Sequence, residues 1–139
     1  GAEHRHRDQR AFCVVGDGAY MFGNPTPAHF VSAAYDLPVL TVIMNNKMWG
    51  SVRKATLGLY PEGAASSSNK APLTYLDPAP EYHKIVEASD GYGEEVTDPT
   101  DLPAALERGI KAVDVDERQA VINVHTIYDD AAAKADAVR

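Results

Sequence analysis

Two short stretches decide the fold of this chain: residues 13–20, CVVGDGAY, and residues 40–50, LTVIMNNKMWG. Each is an apolar run that stops abruptly, the first in Gly-Asp-Gly and the second in Asn-Asn. Continuous apolar runs of this length are typical of strands covered on both faces in a parallel sheet. Cys13, the single cysteine, lies in the first run and is expected to be a small buried core residue.

The segment between the two runs predicts a crossover connection. Residues 16–27 are rich in Gly, Asn and Pro and indicate a loop. Residues 27–37 predict a short helix with Pro27 in its first turn. Its predicted apolar face consists of Phe30, Val31, Ala34 and Tyr35. A strand, loop, helix and strand in this order favour two parallel strands joined by a right-handed crossover.

The rest of the chain continues the alternation of helices and strands. Residues 80–91 predict a helix that ends at Gly91, residues 92–96 a short strand, residues 101–113 a strongly amphipathic helix and residues 119–127 a last strand. Residues 55–80 have no sustained period and predict a long surface segment. Within it, residues 65–70 are either a bare flexible loop or a lid over an active site. The Ala-rich residues 131–139 are either helical or frayed. We therefore predict a single α/β domain over residues 1–139, with a mostly parallel sheet flanked by helices.

Composition and charge exclude several classes of partner. The net charge of -7 disfavours nucleic acid and anionic membrane surfaces. A single cysteine excludes an intramolecular disulfide and fits a reducing compartment, so we expect a cytoplasmic protein. No apolar run reaches the roughly 18 residues of a membrane span, and residues 1–10 contain no apolar signal-peptide core.

The polar residues that follow the two apolar runs predict one cation site. Carboxyl ends of parallel strands meet at one edge of a sheet, so the Asp17 carboxylate and the Asn46 amide oxygen are expected to lie close together. Such oxygens are ligands for Mg²⁺ or Ca²⁺, and Gly16 and Gly18 would let backbone N–H groups approach a phosphate. Each motif alone is also common in turns, where the side chain satisfies its own backbone.

Gly-Asp-Gly followed after 26 residues by Asn-Asn resembles the thiamine diphosphate-binding motif. The wider strings VVGDGAYMFG and LPVLTVIMNNKMWGSVR resemble the acetohydroxyacid synthase, pyruvate decarboxylase and benzoylformate decarboxylase family, over about residues 12–128. The resemblance implies the thiamine diphosphate-binding fold in truncated form, with thiamine diphosphate and Mg²⁺ as cofactors. It implies that Mg²⁺ is bound by the side chains of Asp17 and Asn46 and the backbone carbonyl of Met48. The implied cofactor-binding residues are Gly16, Asp17, Gly18, Ala19, Tyr20, Asn46, Met48 and Trp49, with plain core packing an equal alternative for Trp49.

The resemblance also implies a reaction class. It points to the cofactor domain of an enzyme that decarboxylates or ligates 2-oxo acids, more similar to acetolactate synthase than to a simple decarboxylase such as benzoylformate decarboxylase. In that family a glutamate on a pyrimidine-binding domain, in the same or a neighbouring chain, activates the cofactor. Glu62, Glu81 and Glu87 match no such motif, so no catalytic residue is assigned. We expect a C-terminal piece of a larger, homo-oligomeric enzyme that is inactive by itself.

The sequence leaves two alternatives to this function. A protein that binds thiamine diphosphate and Mg²⁺ without catalysis remains an alternative. A dinucleotide-binding fold is disfavoured, because its G-x-G-x-x-G pattern would need glycine at Met21. His29 is expected to be an ordinary helix residue, with a role near the substrate or cofactor as the alternative. The other four are expected in a solvated tail (His4 and His6), at the surface (His83) and at a strand end (His125).

Overall fold

The computed structural model describes residues 10–127. Within them, four strands alternate with six α-helices and one short 3₁₀-helix. In chain order they are β1 (Ala11–Gly16), α1 (Asp17–Phe22), α2 (Pro25–Ala34), β2 (Val39–Asn45), α3 (Gly50–Leu59), α4 (Ala64–Ser68), α5 (Tyr82–Glu87), β3 (Tyr92–Val96), a 3₁₀-helix (Pro99–Asp101), α6 (Leu102–Asp114) and β4 (Ala120–His125). The predicted tail histidines His4 and His6 and the Ala-rich residues 131–139 lie outside the described range.

The strands form one parallel sheet in the order β1-β2-β4-β3. Gly16 at the end of β1 is paired with Met44 near the end of β2, so both strands finish at the same edge. The predicted parallel α/β architecture is confirmed. The adjacency of β1 and β2 brings the Gly-Asp-Gly and Asn-Asn segments next to each other.

Helix α6 covers one face of the sheet. The predicted periodicity of residues 101–113 is confirmed, because Ala105, Gly109 and Val113 are buried on the side of α6 that meets the strands. The core on this face contains Leu40, Val42, Val96, Ala105, Ala112, Val113, Ala120, Ile122 and Val124. Burial of this apolar surface is the main stabilising term for the layer.

A second core lies on the opposite face, beneath α1 and α5. It contains Tyr20, Ile43, Tyr82, Val86 and Val121. The rings of Tyr20 and Tyr82 meet edge to face with centroids 5.8 Å apart, a favourable aromatic geometry. This contact fixes α1, the helix that follows Gly16, against α5.

The prediction that the first strand is covered on both faces is wrong. Strand β1 is an edge strand of the described sheet, and α6 lies over its neighbours. Phe12 and Val14, on the face that α6 covers elsewhere, are 56% and 59% exposed, and Cys13 is exposed on the other face. Apolarity alone does not distinguish an edge strand from a central one, because the packing partner comes from elsewhere in the chain.

The structure also corrects the connection between β1 and β2. Residues 16–27 are not a loop, because α1 spans Asp17–Phe22 and α2 begins at Pro25. The expected apolar face of α2 is largely solvent-facing, since Phe30, Val31 and Tyr35 are exposed. The residue of α2 that is buried is His29, which is 7% exposed. A short helix with weak amphipathicity gave little indication of which side would meet the core.

Residues 55–80 contain more regular structure than the sequence indicates. Helix α3 extends to Leu59, and α4 forms within the Ser-rich stretch. Beyond α4, the backbone returns to the sheet edge through a bridge between Met48 and Tyr75. The hydroxyls of Ser67 and Ser68 bond to carbonyls four residues earlier, a local arrangement that composition does not reveal.

We expect Gly93→Ala to destabilise the fold by at least about 3 kcal/mol, since it forces overpacking against rigid backbone. A Cβ at position 93 would lie 2.1 Å from the carbonyl oxygen of His83. Gly58→Ala, in exposed α3 with no atom near the added Cβ, is the matched control. It should stabilise by about 0.5–1 kcal/mol. Urea unfolding of both variants measures the difference, and equal effects would contradict this packing of α5 on β3.

Candidate functional site

A cleft of about 460 Å³ opens at the edge of the sheet where β1 and β2 end. It is bordered by the start of α1, the residues that follow β2 and the first turn of α3. Its lining residues are Gly16, Asp17, Gly18, Ala19, Phe22, Met44, Asn46, Met48, Trp49, Gly50, Ser51, Val52 and Thr126. Ligand sites of open parallel sheets lie at this kind of edge.

Asp17 is the charged group of this cleft. It is only 2% exposed, and its carboxylate accepts hydrogen bonds from two backbone N–H groups, those of Gly18 at 2.8 Å and Met48 at 3.2 Å. Among residues 10–127 no cationic side chain forms an ion pair with it. A buried carboxylate without a positive partner is costly, so the arrangement favours a bound cation.

The N–H group of Met48 joins the two predicted ligand side chains. It donates to Asp17 Oδ2 at 3.2 Å and to Asn46 Oδ1 at 3.1 Å. Because both oxygens accept from the same N–H group, the two side chains meet at one point of the cleft. Each oxygen retains a further lone pair for a metal.

Met48 is held in place by the returning segment of residues 74–76. The N–H of Trp49 donates to the Thr74 carbonyl at 2.7 Å, and the N–H of Leu76 donates to the Lys47 carbonyl at 2.8 Å. Of the described backbone groups, none donates to the Met48 carbonyl oxygen. That oxygen is available as a third ligand beside Asp17 and Asn46.

The donor set suits a hard cation. One carboxylate, one amide oxygen and one backbone carbonyl are ligands typical of Mg²⁺ that keeps part of its shell for water or phosphate. A site built from three or more His, Cys, Asp or Glu side chains, as zinc or di-iron centres need, is absent from residues 10–127.

The two glycines of Gly-Asp-Gly serve different contacts. A Cβ on Gly16 would meet no atom within 4 Å, so the missing side chain leaves open space at the cleft wall. A Cβ on Gly18 would lie 3.4 Å from the indole ring of Trp49. Trp49 therefore packs on Gly18 and, edge to face at 6.2 Å, on Phe22. Neither glycine has a positive φ, so the demand is for space and not for backbone freedom.

Most of the predicted site residues meet in this cleft. Gly16, Asp17, Gly18, Ala19, Asn46, Met48 and Trp49 all line it. The side chain of Tyr20 does not, because it turns inward to the second core. His83, expected at the surface, is buried, whereas His125 ends β4 as expected.

Sequence reasoning missed two polar networks behind the cleft. Tyr20 Oη lies 2.7 Å from His29 Nε2, and His29 Nδ1 lies 2.7 Å from Gln119 Oε1. In the second network Asn45 donates to Asn123 at 3.1 Å. Asn123 and His125 both contact Glu95. Polar residues within apolar strands, such as Asn123, were the available signal, but their partners are distant in the chain.

No helix among the described residues has the length and apolar character that a membrane crossing requires.

Comparison with known proteins gives a consistent family match. Residues 1–124 match the family described as "Thiamine pyrophosphate enzyme, C-terminal TPP binding domain". The chain is 31% identical over 121 residues to a 2-hydroxyacyl-CoA lyase of Oryza sativa subsp. japonica, covering 84% of this chain and 19% of the relative. It is also 31% identical over 121 residues to the acetolactate synthase large subunit IlvG of Mycobacterium tuberculosis, covering 86% and 20%.

A solved structure shows the same fold. The thiamine diphosphate-dependent 4-hydroxybenzoylformate decarboxylase of Rhodococcus jostii RHA1 superposes with a TM-score of 0.74 at 23% identity. The match covers 92% of this chain and 22% of that chain. The chain thus spans about a fifth of the length of the curated relatives it matches.

We expect His29 to make the stability of the fold depend on pH. Burial lowers the pKa of His29 below its ordinary value, and the hydrogen bond to Gln119 opposes this in part. As pH falls, the unfolded chain therefore binds this proton first. The stabilising contribution is complete above about pH 6.5 and is lost as pH falls through the folded-state pKa.

The measurement is urea unfolding at about pH 7.5 and about pH 5.5, around the ordinary titration range of histidine. The unfolding free energy of the wild type should drop more between these values than that of His29→Gln, which has no titrating ring. All other ionisable groups are shared by the two proteins. An equal drop in both would contradict a lowered pKa for His29.

Proposed function

Because the chain belongs to the family of C-terminal thiamine pyrophosphate-binding domains of thiamine pyrophosphate enzymes, we propose that its cleft holds the diphosphate of thiamine diphosphate through one Mg²⁺ ion. The proposal extends to the parent reaction, the decarboxylation or carboligation of 2-oxo acids. Acetolactate synthase is the favoured type, since an acetolactate synthase is among the curated relatives.

One observation carries the proposal. The buried Asp17 carboxylate has no cationic partner in the described range and shares the Met48 N–H with the Asn46 amide oxygen. Two oxygens held this way present a ready position for a divalent ion. A turn that merely satisfied its own backbone would have no need to bury a carboxylate beside a second strand end.

Asp17, Asn46 and the Met48 carbonyl are the proposed Mg²⁺ ligands. Three protein oxygens leave the remaining positions of an octahedral ion for phosphate oxygens and water. The bridge to Tyr75 fixes the Met48 backbone, so little conformational freedom is lost when an ion binds. The cleft therefore suits a metal that is delivered together with a phosphate ligand.

The other cleft residues have proposed roles in holding the organic part of the cofactor. Gly16 leaves room at the cleft wall, and Gly18 and Ala19 border the space beside Asp17. The Tyr20 contribution is limited to its backbone, because its ring lies in the core. Trp49 and Phe22 offer an apolar rim that excludes water from one side. When bound, thiamine diphosphate would supply a nucleophilic carbon for addition to the substrate carbonyl and an electron-poor thiazolium ring that can take up the electron pair left when CO₂ departs.

The remaining roles belong to the parent protein. We propose that a pyrimidine-binding domain, in the same or a neighbouring chain, provides the activating glutamate and that the parent is a cytoplasmic homo-oligomer. The exposed Met44 in the cleft, and the exposed Phe12 and Val14 on the same face of the sheet, are compatible with contact to such a domain. By this proposal the isolated chain binds the cofactor without turnover.

We expect Asp17→Asn to weaken Mg²⁺-dependent thiamine diphosphate binding by about 100-fold, because it removes the charged member of the three proposed protein ligands. Asp36→Asn is the matched control. It makes the same change in charge at an exposed residue that precedes β2, away from the cleft, and Asn accepts its left-handed backbone. Isothermal titration calorimetry with and without Mg²⁺ measures both affinities.

Three results would count against the proposal: binding that does not depend on Mg²⁺, Asp17→Asn that binds like the wild type, or Asp36→Asn that loses affinity equally. A longer protein containing this chain that binds the cofactor tightly and consumes no 2-oxo acid would instead identify a non-catalytic binding module. Release of CO₂ from pyruvate and from benzoylformate is the assay that separates these cases.

A further inference from the structure

The Tyr20–His29–Gln119 network has a determined proton arrangement. Gln119 Nε2 donates to two backbone carbonyls, those of His29 at 2.9 Å and Ser89 at 3.3 Å. Carbonyl oxygens only accept, so the amide nitrogen must face them and Oε1 must face His29. His29 Nδ1, which is 2.7 Å from Oε1, must therefore carry a proton and donate it.

The proton position on His29 then decides the role of Tyr20. In a neutral imidazole with a proton on Nδ1, the other nitrogen is an acceptor. Tyr20 Oη, at 2.7 Å, consequently donates to His29 Nε2. Burial lowers the pKa of His29 and raises that of Tyr20, which agrees with two neutral groups. The hydrogen bonds of the network therefore all run in one direction: Tyr20 donates to His29, and His29 donates to Gln119.

One end of this hydrogen-bond network, Tyr20, lies on α1, the helix that also carries Asp17. Tyr20 follows Asp17 by three residues, nearly one helical turn, and both side chains are buried in α1. Helix α1 has only six residues and no side-chain cap, so its own hydrogen bonds fix its orientation weakly. The buried Tyr20 side chain connects α1 to two other helices: its ring packs on Tyr82 of α5, and its hydroxyl bonds to His29 of α2.

We propose that Tyr20, His29 and Gln119 form a positioning relay that holds the Asp17 carboxylate in its place at the cleft. Gln119 fixes the far end of the relay. Its side chain bonds to both the ring and the backbone carbonyl of His29, and its own backbone carbonyl accepts a hydrogen bond from the Tyr92 N–H. None of the three side chains lines the cleft. The inference rests on the proposed function for its consequence in Mg²⁺ binding, but the position of Asp17 is measurable without any cofactor.

The neighbouring Tyr82 supplies a matched control. Its hydroxyl is buried in the same aromatic cluster and has no hydrogen-bond partner among the described residues. Tyr82→Phe and Tyr20→Phe remove the same atom from adjacent rings, but only the second breaks the relay. Gln119→Leu tests the far end, 90 residues away from His29 in sequence.

The experiment is amide hydrogen exchange, followed by NMR, of the two N–H groups that donate to Asp17, those of Gly18 and Met48. We expect Gln119→Leu, His29→Leu and Tyr20→Phe to accelerate the exchange of both amides by about five-fold. This factor corresponds to the stabilisation that one buried hydrogen bond provides. Amides of Val121 and Ile122 in β4 should keep their rates. Tyr82→Phe should leave every rate unchanged, and His29→Gln, with one donor and one acceptor, should lie closer to the wild type than His29→Leu.

Calorimetry with thiamine diphosphate and Mg²⁺ completes the test. The relay variants should need about five-fold more Mg²⁺ for half-saturation, in line with the exchange rates. Unchanged Gly18 and Met48 exchange in Gln119→Leu, or equal acceleration of β4 amides, would overturn the relay, since the residues would then act only on global stability. Absence of Mg²⁺-dependent binding in the wild type would overturn the proposed function instead, and the exchange data would still decide the relay.

Discussion

The cleft depends on two interactions. The first is the pairing of β1 with β2, and the second is the hydrogen bonding of the Met48 N–H to both Asp17 and Asn46. Parallel pairing alone brings the two strand ends to one edge. The shared N–H then brings a carboxylate and an amide oxygen to one point of the cleft. The open wall at Gly16 and the bridge between Met48 and Tyr75 lie beside this contact.

Burial explains why this contact suits a metal and not a simple turn. A carboxylate removed from water is tolerated when hydrogen bonds or an opposite charge compensate it. Asp17 has two backbone N–H donors and no cationic side chain in the described range. The protein thus holds an oriented negative charge, and the relay behind it adds rigidity from residues that lie outside the cleft.

The sequence specified the layers of the fold better than their boundaries. The periodicity of residues 101–113 predicted α6, and the apolar runs predicted β1 and β2, because burial imposes these patterns directly. It failed for α1, a helix of six residues, and for the exposed side of β1. Both depend on which distant element packs against them, and local composition carries no record of that.

The sequence by itself determined the family: Gly-Asp-Gly and Asn-Asn at the ends of two strands indicate the family to which the chain belongs, and they predict which oxygens would bind a metal. Only the tertiary structure decided that His29 is a buried relay group and that Tyr20 turns away from the cleft. The reason is physical. A motif read along the chain fixes which atoms are available, whereas hydrogen-bond partners 90 residues apart, such as His29 and Gln119, exist only after the sheet has brought them together.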